Sequence, residues 1–379
     1  MSPDAITFGQ VAVLRGPAAA LGKGMRAGIL AAFAEANKNG GVSGRQLKLI
    51  SSDDGYEPQR SIEATKELIA GQQIFAFVGA VGTPTSLASE PIAVASKFPF
   101  IGAFTGAEFL RTPYNPLIAN VRASYNQETE AMVEWLTAKR KIQRVAILYQ
   151  DDAFGRAGLD GTRHALQKRK MQLVSQGAFE RNTTAVKLAL LKIRAGQPEA
   201  VIMIGAYKPC AAFIKVAKSL GMTPLFLNIS FVGSEALSDE LGSDADGVFV
   251  TQVVPLPYDR SQPLVARYQA ALEAVSEASR PGFVSLEGYL AGRLVVESLS
   301  RIHGDPTREG LLSSLTEKPF DFDGFVLSYS HTNNQGSSRV YLTELRPGGQ
   351  FRNIDLERTG EISAASGALM PAMPKGASP

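Results

Sequence analysis

Short continuous apolar runs recur along the chain at residues 75–78, 145–149, 201–204 and 248–254. Runs this short, without polar alternation, suit strands buried on both faces of a parallel sheet. Between them lie stretches with apolar residues at helical spacing. Residues 22–37 place Met25, Ile29, Ala32, Phe33 and Ala36 on one face, and a helix opening at Pro58 carries Ile62, Leu68 and Ile69. Weaker strand patterns occupy 6–14 and 47–51. The N-terminal part therefore alternates strand and helix, the pattern of a doubly wound parallel α/β sheet.

One stretch of this pattern is used twice. Residues 75–111 read as strand, Gly-rich elbow with Gly79 and Gly82, helix, Pro99, second strand and a loop at Ala103, Phe104 and Thr105. Thr83 before Pro84 predicts a helix N-terminus with Thr83 as N-cap and Pro84 at N1. Pro91 inside that helix predicts a kink. Residues 200–230 repeat the plan: strand, Gly205, an elbow at Tyr207 and Lys208, Pro209, an apolar helix, Pro224, a second strand and Ser230. Pro84 and Pro99 stand as far apart as Pro209 and Pro224, and Thr105 and Ser230 lie equally far beyond their second prolines. Two half-domains are expected, each offering loops at the carboxyl ends of parallel strands, where open α/β sheets bind ligands. Two such edges facing each other would form a cleft.

Elsewhere the pattern predicts helices at 126–139 (with Trp135), 184–195, 263–278 and 283–303, and one running to 170 after Asp151, Asp152, Phe154 and Gly155. It predicts a strand at 173–179 and a terminal antiparallel pair of 325–329 with 340–345. The length favours two domains. A content of 45% apolar and 20% charged residues describes an ordinary globule, and the apolar runs are too short to span a bilayer. The net charge of +3 is interspersed, with no basic stripe and interleaved aromatics, so no nucleic-acid partner is expected. The basic run at 139–144 reads as a solvated helix end. The single cysteine, Cys210, excludes an internal disulfide and, followed by Ala211, Ala212 and Phe213, reads as core. Met1, Ser2 and Pro3 read as a start placed on a mature sequence whose export signal has been removed. Residues 363–379 read as a disordered tail.

Catalytic and cofactor patterns do not occur in the sequence. Gly16 and Gly22 are one residue too far apart for a phosphate loop, and Gly24 stands where a hydroxyl is needed. No GxGxxG follows the first strand, and no GxSxG elbow exists. His164, His303 and His331 lack metal-ligand spacing. Asp53 with Asp54, and Asp151 with Asp152, read as turn and capping residues at strand ends. No enzyme, cofactor or metal site is expected.

Two similar halves without a catalytic set resemble the type I periplasmic binding proteins. More closely, the chain resembles the leucine/isoleucine/valine-binding family that feeds ABC importers. The likeness runs from residue 6 to residue 345. It rests on Gly16-Pro17 with Gly22, the hydroxyl-bearing elbow at 79–86, Ala103 with Thr105, Asp152 with Phe154-Gly155, and Gly205 with Tyr207. It implies two α/β lobes joined by three crossover strands near Val121, Val253 and Phe325. The N-terminal lobe would hold 1–121 plus 253–325, and the C-terminal lobe 122–252 plus 326–362. It further implies a monomeric, periplasmic or extracytoplasmic solute-binding protein that closes on a small ligand by hinge motion and is read by a membrane permease. A ligand-sensing regulator of the same fold, like an amide sensor, is the alternative.

By the same resemblance, first-lobe ligand contacts fall on Leu21, Gly82, Thr83, Ala103, Phe104 and Thr105. Backbone N–H groups and a helix N-terminus there suit a carboxylate. Second-lobe contacts fall on Phe154, Tyr207 and Ser230. Ser230 stands where relatives often keep the acid that receives a ligand's ammonium group. Glu287, among apolar residues of a predicted helix, is the candidate substitute; the other reading puts it on that helix's wet face. A ligand with a carboxylate and an apolar or aromatic body is expected, with weak binding of leucine, isoleucine and valine.

Overall fold

The structure is a computed structural model that describes residues 4–71, 74–275 and 280–356. The expected tail at 363–379, the first three residues and the end of the helix expected at 263–278 lie outside the described residues. The chain divides into two compact units, Met1–Ala123 with Pro257–Ser338, and Ser124–Leu256 with Arg339–Pro379.

The first unit opens with β1 (Ala5–Ala12), α1 (Ala19–Lys38), β2 (Gln46–Asp53), α2 (Pro58–Gly71), β3 (Phe77–Val78), α3 (Thr83–Ala95), β4 (Phe100–Ile101) and β5 (Ile118–Ala119). Its sheet has the order β2-β1-β3-β4-β5, with every pairing parallel. The apolar runs lie where their pattern demands burial. Phe8 packs against Phe33 and Phe75 with ring centroids 5.4 and 5.8 Å apart, and Phe77 meets Phe98 and Phe100. Aromatic pairs at these spacings add to the burial of apolar area itself.

The second unit contains α4 (Tyr125–Glu134), a π turn (Trp135–Lys139), β6 (Val145–Gln150), α5 (Ala153–Gln167), β7 (Ser175–Phe179), α6 (Lys187–Ala195), β8 (Ala200–Ile204), α7 (Tyr207–Ser219), β9 (Leu225–Asn228), α8 (Ser234–Leu241) and β10 (Val248–Gln252). The chain then returns to the first unit for α9 (Pro263–Leu272), α10 (Phe283–Ser300), α11 (Arg308–Glu317), β11 (Phe320–Phe322) and β12 (Phe325–Leu327). It ends in the second unit with β13 (Tyr341–Arg346) and β14 (Gln350–Ile354). The second sheet runs β14-β13-β10-β9-β8-β6-β7, parallel except at the β10-β13 and β13-β14 pairs.

In the first unit, α1 and α10 approach through glycine. A Cβ on Gly28 would stand 1.9 Å from the Ser285 carbonyl oxygen, and one on Gly288 would stand 2.3 Å from that of Met25. Only a hydrogen fits at either position.

Three expectations fail. The strand at 325 does not pair with the one at 340. It folds back on β11 through Asp323 and Gly324, both in the left-handed region, while β13 takes the edge of β10. The third boundary consequently lies after Ser338 and not near Phe325. Residues 329–336 stay with the first unit because Asn120, just past β5, binds them: its N–H donates to the Asn334 carbonyl, and its own carbonyl accepts from Gly336 N–H and the Tyr329 hydroxyl. Finally, Thr83 is not the N-cap of α3. That position is Gly82, at φ 109°, and no side chain caps the helix. The helix runs on through Pro91.

Candidate functional site

The two copies of the repeated element occupy different units. Each ends a parallel strand and starts a helix of 13 residues, α3 in the first unit and α7 in the second. Neither N-cap residue, Gly82 or Ala206, caps its helix through a side chain, and each first turn carries a proline, Pro84 or Pro209, which has no N–H. Two other helices of the second unit are capped: α4 by Ser124, with Gln127 closing a capping box, and α5 by Asp152.

In the first unit, Leu21, Gly82, Thr83, Ala103, Phe104, Thr105 and Glu287 are all buried. Thr83 and Thr105, brought together from the loops after β3 and β4, share a hydrogen bond of 2.7 Å between their hydroxyls. Thr105 also accepts from the Ala107 N–H. Gly82 N–H donates to the Phe104 carbonyl. A side chain at Gly82 would strike the Tyr56 ring at 2.4 Å, so glycine is required both by φ and by space.

Arg122 follows β5, with its guanidinium 5.0 Å from the centre of the Phe104 ring. Its NH1 lies 3.7 Å from the Glu287 carboxylate, both side chains being almost fully buried. Glu287 is thus not on a wet face; it lies beside a cation within the first unit. Arg111 fixes the loop, donating to the carbonyls of Ala107 and Arg122 and to the Gln335 side chain. Asp54, after β2, is buried. Burial pushes its carboxyl up to about 6, against the opposing pull of hydrogen bonds from the Ser61 hydroxyl and Tyr56 N–H.

In the second unit, Phe154, Tyr207 and Ser230 are buried at the carboxyl ends of β6, β8 and β9. The Phe154 ring packs between Tyr125 and Phe231, at 5.4 and 4.5 Å between centroids. Asp152 accepts from the Phe154 N–H, the Gln150 amide and Arg181, which confirms a capping role. Cys210 is buried, and burial pushes its thiol up, as a core residue requires.

Ser230 has a carboxylate beside it after all. Glu128, from the first turn of α4, accepts from the Ser230 N–H at 3.0 Å, the Ser230 hydroxyl at 2.9 Å and the Thr251 hydroxyl at 2.6 Å. Sequence reading missed Glu128 because an acid in a first helical turn is ordinary. Its spacing carried a signal: Glu128, Met132 and Trp135 stand at i, i+4 and i+7, one buried face of α4 and its π turn. Arg122 offered no such signal, since no periodic element contains it.

Comparison with known proteins places this chain. The periplasmic binding protein family profile matches residues 5–350, and the chain belongs to that family. A solved structure from Rhodopirellula baltica SH 1, described as a possible leucine/isoleucine/valine-binding protein, is 38% identical, covers 93% of this chain and 97% of that one, and superposes with a TM-score of 0.89. A substrate-binding periplasmic protein from Ralstonia solanacearum is 25% identical, with 92% and 100% covered and a TM-score of 0.85. Among curated relatives, an amino acid binding protein of Pseudomonas aeruginosa is 24% identical over 72% of this chain and 71% of the relative. The fold is that of the type I periplasmic binding proteins. The chain is a non-catalytic, extracytoplasmic solute-binding component that is similar to leucine/isoleucine/valine-binding proteins.

Proposed function

We propose that this chain, a solute-binding component of an ABC importer, captures a small carboxylate-bearing ligand with an apolar body, using groups from the carboxyl-end rims of both units. Closure of a hinge around that ligand would present the loaded form to the membrane permease, since a ligand favours the state in which it gains the most contacts. The observation that carries the ligand class is the Thr83–Thr105 hydroxyl pair beside the uncapped N-terminus of α3. Hydroxyl donors and the positive end of a helix dipole both favour an anion. Thr83, Thr105, Gly82, Ala103, Phe104 and Leu21 supply the first rim in this reading, and Tyr207, Phe154 and Ser230 the second.

One observation favours a second reading, an α-amino acid. The Glu128 carboxylate touches Ser230, where a ligand ammonium would need a countercharge. Titration calorimetry with benzoate and hexanoate against leucine, isoleucine and valine separates the two. The first reading expects the simple acids to bind more tightly. Submicromolar binding of a branched-chain amino acid, with none of the acids, supports the second.

A further inference from the structure

A groove of about 530 Å³ opens on the second unit at the amino ends of β8 and β9. This is the sheet edge away from Asp152, Tyr207 and Ser230. Its lining combines apolar Ile142, Met222, Pro224 and Leu225 with the basic Arg140 and Arg194 and the polar Gln197 and Thr223. Arg140 lies over the Trp135 ring, 5.3 Å from its centre. Among the described residues, neither arginine is paired with a carboxylate.

The acid in the lining is already engaged. Glu199 accepts from the backbone N–H groups of Gln143 and Arg144 at 2.8 and 2.9 Å, and these bonds hold its pKa down. The C-terminal end of α6 would repel an anion by its dipole. Arg144 covers it, donating to the carbonyls of Gln197 and Gly196 at 2.9 and 2.6 Å. The groove thus offers apolar surface beside two arginines that make no carboxylate pair among the described residues, with the engaged Glu199 and the polar Gln197 and Thr223 also in its lining.

We propose that this groove is an accessory site for an amphiphilic organic anion, its head on Arg140 and Arg194 and its apolar body on Ile142, Met222, Pro224 and Leu225. The volume lies within the range of small-molecule sites, which are apolar with a few placed polar groups. Guanidinium is the side chain best matched to a carboxylate, sulfonate or phosphate head. The competing explanation is that both arginines only complement helix C-termini, and it expects no ligand. The site stands on the edge opposite the rim and does not depend on the ligand proposed above.

Trp135 is the chain's single tryptophan and reports on Arg140 directly. The full chain is titrated with octane-1-sulfonate below its micelle concentration, followed by tryptophan emission and by calorimetry, with octyltrimethylammonium as the cationic control. A saturable emission change with sulfonate alone is expected. The Arg140→Gln/Arg194→Gln variant should bind at least tenfold more weakly by calorimetry at unchanged thermal stability, and Arg194→Lys should retain most of the binding. Absence of saturable sulfonate binding overturns the proposal. So does equal binding of the ammonium compound, or full binding by the double variant, which would put the sulfonate elsewhere on the chain.

Discussion

In the first unit the buried carboxylate of Glu287 faces the guanidinium of Arg122 at 3.7 Å, and that guanidinium lies over Phe104. In the second unit the buried carboxylate of Glu128 accepts from the Ser230 N–H and hydroxyl and from the Thr251 hydroxyl. Both rims keep a negative group out of water at the carboxyl edge of a parallel sheet. The contacts differ in kind: Glu287 faces a guanidinium, and three contacts of Glu128 come from neutral donors. An ion pair offsets desolvation through Coulomb attraction, so removing one member strands the other. A cage of neutral donors spreads the same task over several hydrogen bonds, each modest alone and costly when left unmade.

That difference can be broken most sharply at Arg122. Arg122→Met should destabilise the protein by about 3–5 kcal/mol, because it removes a guanidinium from beside a buried carboxylate. Adding Glu287→Leu should recover most of the loss, since an apolar pair of similar volume avoids the desolvation cost. Urea titration of both variants measures this, and a loss below about 1 kcal/mol for the single change would dissolve the contrast between the rims.

Glu128→Ala comes next. It leaves three donors without their acceptor, at about 1–3 kcal/mol for each that water cannot reach. Glu128→Gln keeps an acceptor oxygen and should lose clearly less. Hydrogen exchange at the Ser230 amide should rise in the alanine variant; unchanged protection there would show that Glu128 does not hold the loop.

A third test uses pH. Asp54 of the first rim titrates near 6 when folded, against an ordinary value of 3.8. The folded state therefore binds the proton more tightly, and stability falls as pH rises from about 4 to 6, then stays at the lower level. The change is on the order of 1.4 kcal/mol for each pH unit separating the two values. Asp54→Asn should flatten this part of the stability profile, and a slope identical to that of the unaltered chain would assign it to other groups.

The smallest expected effect is at the ligand. Thr105→Val removes a hydroxyl while keeping shape. Hydrogen bonds to charged groups contribute roughly 1.5–3 kcal/mol, so affinity for whichever acid the chain binds should fall about tenfold to a hundredfold. Calorimetry showing equal affinity would remove Thr105 from the rim.

Much of the architecture was legible in the chain itself. Continuous apolar runs at 145–149 and 201–204 became buried strands, and the run at 75–78 a buried strand over Phe77–Val78, because a strand covered on both faces tolerates no polar alternation. Equal proline spacing announced the repeat seen in α3 and α7. Gly82 and Gly205 marked the elbows. Local signals decide these features, and local signals are written in neighbouring residues.

What escaped was decided by contacts between residues far apart in sequence. Ser230 looked bereft of a countercharge until folding brought Glu128 to it, 102 positions away. Glu287 suggested an ammonium site until Arg122 arrived beside it. Thr83 carried the grammar of a cap, yet its hydroxyl pairs with Thr105, a bond available only once β3 and β4 lie side by side. The passage at Ser338 depended on Asn120 capturing residues 334 and 336. Periodicity and turn chemistry along the chain determined the elements and their order. Which buried charge meets which donor depended on the close packing of distant loops, because a buried polar group takes whatever partner the fold delivers to it.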